Sequence, residues 1–217
     1  MASCGTRLNN EAIRVAVGLR LGVNLCEPHM CPCGIWVDAK GSRGLSCKHS
    51  AGRSICHHQL NDLIWQALTR ASTPSVKEPA GLSHTDGKCP DGLSLIPWQE
   101  GKCLTWDVTV ADTLAATYLA SARTTASSVA KGAASRKDNK YSAIAQSHIF
   151  IPLAIETLGP INFKWLKFLS ELGDRLTAST DDPRETSFLF QWISILIQCF
   201  SAVCFQGTFT QPEEVEY

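Results

Sequence analysis

Along residues 104–110 the chain alternates. Leu104, Trp106, Val108 and Val110 fall on one side, and Thr105, Asp107 and Thr109 on the other. A period of two marks a strand. The stretch GLSLIPW (92–98) is joined to CLTWDVTV (103–110) through QEGK, with Gly101 in the turn, and reads as its hairpin partner. Pro97 has no N–H to donate, which places it at an edge or a strand end. SVKEP (75–79) and HIFIPLAIETLG (148–159) are two further extended runs. Helical periods surround them. NEAIRVAVGLRL (10–21) is a short helix with Asn10 as its cap. SICHHQLNDLIWQALTRAS (54–72) sets Leu60, Leu63, Ile64, Ala67 and Leu68 on one face, and Ser54 can cap it. Residues 113–145 predict a long helix broken near Gly132, and 163–179 and 184–206 two more. The order α–β–β–β–α–β–α predicts an α/β chain, a mixed sheet flanked by helices.

Two stretches do not fit that alternation. Residues 187–206 are long and apolar, but Gln191, Ser194, Gln198 and Ser201 recur at helical spacing and predict a packed helix rather than a membrane span. Residues 26–49 have no period and no core of their own. Of the ten cysteines, six fall with four histidines in the first 58 residues. With no apolar leader and cleavage site in view, such clustering reads as metal binding before disulfides.

Composition adds bounds. With 217 residues, 44% of them hydrophobic and 18% charged, the chain can bury an ordinary core. Formal net charge is zero, which excludes a histone-like binder but not a local phosphate-binding face. Residues 1–58 carry seven basic against three acidic side chains, and residues 171–217 carry two against eight. Three segments follow: 1–53, a helix and a Cys/His knuckle; 54–180, the sheet-bearing core; and 181–217, a helix and an acidic tail.

Chemistry enters through the acids. If 92–98 and 103–110 pair, Asp91 lies near Asp107, and two convergent carboxylates suit Mg²⁺ or Mn²⁺. Spacing alone leaves open that Asp91 is an ordinary turn residue and Asp107 a solvent-facing one. Glu78 is either a third acid or a surface glutamate paired with Lys77 or another cation. Lys137 and Lys140, one helical turn apart, can reach one surface, either to serve a phosphodiester or as a solvated face. In the knuckle, Cys31 and Cys33 form one pair of zinc ligands, with Cys47 and His49 as the other.

Read in order, CPCG, GLSCK, HHQLNDLIWQAL, KEPAGL, PDGLSLIPW, LTWDVTVADTLA, RKDNKY and FIPLAIETLG resemble the C-terminal part of proteins encoded by non-LTR retrotransposons. There a cysteine–histidine knuckle and a restriction-like endonuclease follow the reverse transcriptase. The resemblance covers nearly the whole chain. It implies a PD-(D/E)XK-type fold, with an α-β-β-β-α-β core, an N-terminal knuckle and C-terminal helices. It implies that Asp91 and Asp107 hold the catalytic metal. The usual strand lysine, at the position of Thr109, would have moved to Lys137 and Lys140 on the next helix, with Glu78 as an outer acid. Lys88 and Lys140 would contact nucleic acid. The implied reaction is nicking of target DNA to prime copying of element RNA, in the nucleus and away from membranes, although no polymerase segment is visible. This sequence departs from the pattern in three places: a slightly long Asp91–Asp107 interval, Arg43 at an expected histidine position, and Cys89 where a basic residue usually precedes PD. Those departures, with arginine loss inferred at Cys56, Trp192 and Cys199, fit a truncated or decayed copy. The alternative is then an inactive nucleic-acid-binding module.

Overall fold

The computed structural model describes residues 7–47, 49–82 and 87–209. His84 and the acidic tail beyond 209 lie outside them. In chain order the elements are α1 (Asn10–Leu21), β1 (His29–Met30), β2 (Trp36–Val37), α2 (Arg43–Ser46), α3 (Ala51–Arg70), β3 (Ser75–Lys77), β4 (Gly92–Gln99), β5 (Lys102–Ala111), α4 (Leu119–Thr124), α5 (Ser128–Lys140), α6 (Ile144–Ser147), β6 (Ile149–Glu156), α7 (Phe163–Thr180) and α8 (Glu185–Gln206). The main sheet has the order β3-β4-β5-β6. The first three strands pair antiparallel and β6 runs parallel to β5. The chain is thus a mixed α/β protein, as its pattern predicted.

The hairpin turn places Glu100 and Gly101 at φ 50° and 74°, the left-handed pair that matches strand twist in a two-residue connection. Pro97 sits within β4, but β3 pairs only with Gly92–Ser94. Beyond that point β4 is an edge, where a proline removes no ladder bond.

The period of two along β5 does sort its side chains. Leu104, Trp106 and Val108 join Leu60, Ile64 and Leu68 of α3 and Trp165, Phe168 and Leu172 of α7 in the main core. The opposite face is not open to solvent. Val129, Ala130, Ala133 and Ala134 of α5 lie over Ala111 and Ala154, and small side chains let the helix approach closely. Thr105 and Asp107 are therefore buried too, which corrects the solvent-facing alternative for Asp107.

The predicted long helix is three. Gly132 lies inside α5, and the breaks fall at 125–127 and 141–143. Ser127, at φ 57°, turns the chain into α5. The buried Glu156 carboxylate then accepts from the Val129 and Ala130 N–H groups, both at 3.1 Å. A carboxylate at a helix N-terminus satisfies donors the helix cannot and complements its dipole. Replacing Glu156 with alanine is expected to cost about 2–4 kcal/mol, because buried hydrogen bonds to a charged group are lost. Urea unfolding checks this, and an unchanged midpoint would contradict the cap.

Caps shift by a residue or more from expectation. Asn9, not Asn10, accepts from Ala12 N–H, and α3 starts after Ser50, three residues before the helix predicted from Ser54. Among the described residues α8 is the one helix long and apolar enough to cross a membrane. It packs against α1, α2, α3 and α7. Its polar stripe divides: Gln191 and Ser194 are exposed, but Gln198 and Ser201 are buried, and Gln198 Oε1 accepts from Arg20 of α1 at 2.7 Å.

Candidate functional site

The Asp91 carboxylate is placed by the hairpin. Gly92 pairs with Trp106, so β5 runs on past the start of β4. The Val108 amide then has no strand partner on that side, and it donates to Asp91 Oδ2 at 2.6 Å. A Cβ on Gly92 would fall inside the Trp106 indole. The glycine of PDG is therefore required by close packing. From α3, Asn61 clamps the same corner: it accepts from Trp106 Nε1 at 2.8 Å and donates to the Asp91 carbonyl at 3.3 Å. Gly92→Ala is expected to destabilise by about 1–3 kcal/mol through overpacking, measured as a fall in Tm.

Asp91 is thus tied to the amide that follows Asp107. The two acids line one cleft of about 270 Å³ together with Glu78, Lys88, Lys137, Lys140, His57 and Tyr141. Every acid and lysine singled out in the sequence is in this lining. Lys137 Nζ lies 2.6 Å from Asp107 Oδ1. Lys140 Nζ stands 4.9 Å from the centre of the Tyr141 ring. Tyr141 is buried and donates to the Cys89 carbonyl at 3.1 Å, which ties the end of α5 to the segment before PD. Glu78 is on the rim. It is exposed, lies past the end of β3, and its N–H donates to the Asp91 carbonyl at 3.1 Å. Lys77 is not its partner; that ammonium pairs with Asp62 at 2.6 Å.

Burial pushes the Asp107 carboxyl above its ordinary value; the Asp91 charge adds to the rise and the Lys137 ammonium opposes it. A cation beside Asp107 is thus worth more than at an exposed acid, since the pair sits in a weakly screened environment. His57 Nε2 lies 3.1 Å from Asp91 Oδ2. This contact raises the imidazole pKa, against the opposing effect of burial. His57, in the second turn of α3, belongs to this cleft. A contact across 34 positions leaves no local trace in the sequence.

The knuckle has its own centre. The Cys31, Cys33 and Cys47 sulfurs lie within 4.8 Å of one another and could hold a metal ion. Among the described residues this is the one such group of His, Cys, Asp or Glu; the acids of the cleft do not form another. Cys31 Sγ and Cys47 Sγ are 3.8 Å apart. That is about the edge of a tetrahedron with Zn–S bonds of ~2.3 Å. His49, predicted as the fourth ligand, is exposed and outside the cluster. The turn closed by Ser50 N–H onto the Cys47 carbonyl separates it from Cys47. Arg43 approaches instead, with its Nη2 3.7 Å from Cys33 Sγ. Thiolate character concentrates on Cys33, whose pKa falls to about 6, first through the Cys31 thiol and then through Ile35 N–H, Arg43 and Cys47. Desolvation drives Cys31 the other way, to about 11.

Cys56 is buried in the main core, where desolvation pushes its thiol up to about 12. A small, weakly polar side chain suits that position. An arginine there would bury its charge. In comparisons with known proteins, the chain matches no protein-family model and no curated protein sequence.

Proposed function

We propose that the chain is a metal-dependent DNA endonuclease with a restriction-like core, from the C-terminal part of a non-LTR retrotransposon protein. One observation carries the reading: Asp91, Asp107 and Lys137 come from three separated segments into one cleft. All-oxygen carboxylate donors suit a hard divalent cation such as Mg²⁺ or Mn²⁺, and the Lys137 ammonium beside Asp107 stands where positive charge is favoured. When bound, such a cation would supply Lewis-acid stabilisation of a phosphodiester oxygen. Asp91 and Asp107 would hold it. Lys137 would orient the attacking water and offset charge developing on the phosphate. Lys140 and Lys88 would contact phosphate, and Glu78 would be an outer acid. The partners are then target DNA and element RNA, and the site of action the nucleus. Zinc is the ion proposed for the cysteine cluster, with its fourth position taken by water or a group from outside the trio.

The test is conversion of supercoiled plasmid to open circles in Mg²⁺ or Mn²⁺. Wild-type protein is expected to nick and Asp107→Ala not to. Equal traces from both proteins would leave the second reading, a nucleic-acid-binding module without hydrolysis. That reading draws on the ion pairs that already engage both acids, Asp107 with Lys137 and Asp91 with His57.

A further inference from the structure

A second cleft adjoins the acidic one. It has a volume of about 380 Å³ and shares His57 and Lys137 with its neighbour; Ser50, Arg53, Ser54 and Thr109 contribute the rest of its polar lining. No carboxylate lines it, whereas three line the acidic cleft. It opens between the first turn of α3 and the part of β5 that β4 leaves uncovered. Its polar groups are thus cationic or hydroxyl donors, the set that recognises phosphate oxygens. We infer that this cleft binds a second phosphate of the nucleic-acid strand, next to the one held at Asp91 and Asp107.

The assignment rests on the endonuclease reading for its neighbour and on three local observations for itself. First, Thr109 and Asp107 share a face of β5. At about 3.3 Å rise per residue, they stand ~6.6 Å apart, so one strand can lay successive phosphates along them. Second, the Thr109 hydroxyl oxygen is buried and meets no hydrogen-bonding partner in the protein. A buried orphan hydroxyl is costly unless something else satisfies it. Third, the Val108 amide faces Asp91, so with a period of two the Val110 amide points the same way, toward this cleft. Arg53 is exposed at the mouth and also acts, with Arg43, on the buried Asp112 carboxyl, which does not line the cleft. Its planar fork can take two phosphate oxygens at once.

The experiment measures binding of a fluorescein-labelled DNA duplex in Ca²⁺ across a salt series. Arg53→Ala is expected to weaken binding about tenfold and to flatten the salt slope by about 0.9, one phosphate contact. Arg53→Lys is expected to restore the slope but only part of the affinity, because the fork is gone. Thr109→Val is expected to weaken binding two- to fivefold while leaving Tm unchanged or raised, since no protein partner is lost. Binding and slope for Arg53→Ala within twofold of wild type overturn the inference. If Asp107→Ala still abolishes nicking in that case, the endonuclease reading stands alone. If wild-type protein nicks no more than Asp107→Ala yet the Arg53 dependence holds, the cleft stands and the endonuclease reading falls.

Discussion

Asp107→Asn is expected to lower metal-dependent nicking by about a hundredfold to a thousandfold, because it weakens the hold on the cation that would stabilise the reacting phosphate, a contribution of the size of one preorganised electrostatic contact. The substitution keeps shape and removes charge, so Tm should hold or rise: Asp107 is 3% exposed and its ionised form is disfavoured by burial and by Asp91. The same physics sets a pH dependence. A divalent cation competes with the proton on Asp107 and with protonated His57 at Asp91. Both groups have raised pKa values, so they release protons above their ordinary ranges. Metal affinity and nicking should therefore climb through neutral pH and keep climbing past the usual imidazole range.

The stability sign follows from the same shifts. A group with a raised pKa holds its proton more tightly folded than unfolded. Its contribution is present below its unfolded pKa and lost as pH rises through the folded one. Without divalent cation, Tm should fall as pH rises from the ordinary carboxylate range through Asp107's raised value, then again from the ordinary imidazole range upward. Added Mg²⁺ or Mn²⁺ should raise Tm more at pH 8 than at pH 5.5, because binding to the folded state alone stabilises it. His57→Gln should move the rising limb of nicking to lower pH. A nicking profile that is flat from pH 6 to 9, with no cation effect on Tm at either pH, would falsify the acid-pair site.

Purified protein is expected to carry one equivalent of zinc, and Cys31→Ser to lose it. Metal loss should not unfold the whole chain. Classical zinc knuckles depend on the ion for folding, but this one leans on α8: Leu45 joins Ala202, Cys204 and Phe205 in a small core with α1, and His29 stacks on Phe209 at 4.2 Å. Amide exchange should therefore quicken in residues 26–47 after chelation and stay slow in β5 and β6. Acid should release the ion, since the thiolates must compete with protons. Substoichiometric zinc that Cys31→Ser does not change would end this proposal.

Local pattern carried much of this protein. The period of two in LTWDVTV, the turn at Glu100 and Gly101, and the helical face of Leu60, Ile64 and Leu68 each depend on near neighbours, and each appears in the fold. That Asp91 and Asp107 line one cleft could be expected for the same reason: a single hairpin carries both. The cysteines at 31, 33 and 47 were singled out by their close spacing in a segment with no core of its own. What needed tertiary structure spans longer separations. Whether Asp107 faces water or protein was decided by α5, which covers the second face of the sheet with alanines. Composition favoured a long helix over 113–145 with its break near Gly132, whereas the breaks fall at 125–127 and 141–143. A buried Glu156 carboxylate, more than twenty residues away, set where α5 begins. His57 joined Asp91, and Arg53 bordered Thr109, because α3 lies beside the end of β5. His49 was lost from the cysteine cluster because one turn separates it from Cys47. Sequence periodicity records which face of an element is apolar; it does not record which distant charge is packed against that face. A carboxylate's partner is chosen by proximity in a weakly screened interior, and only the folded chain defines that proximity.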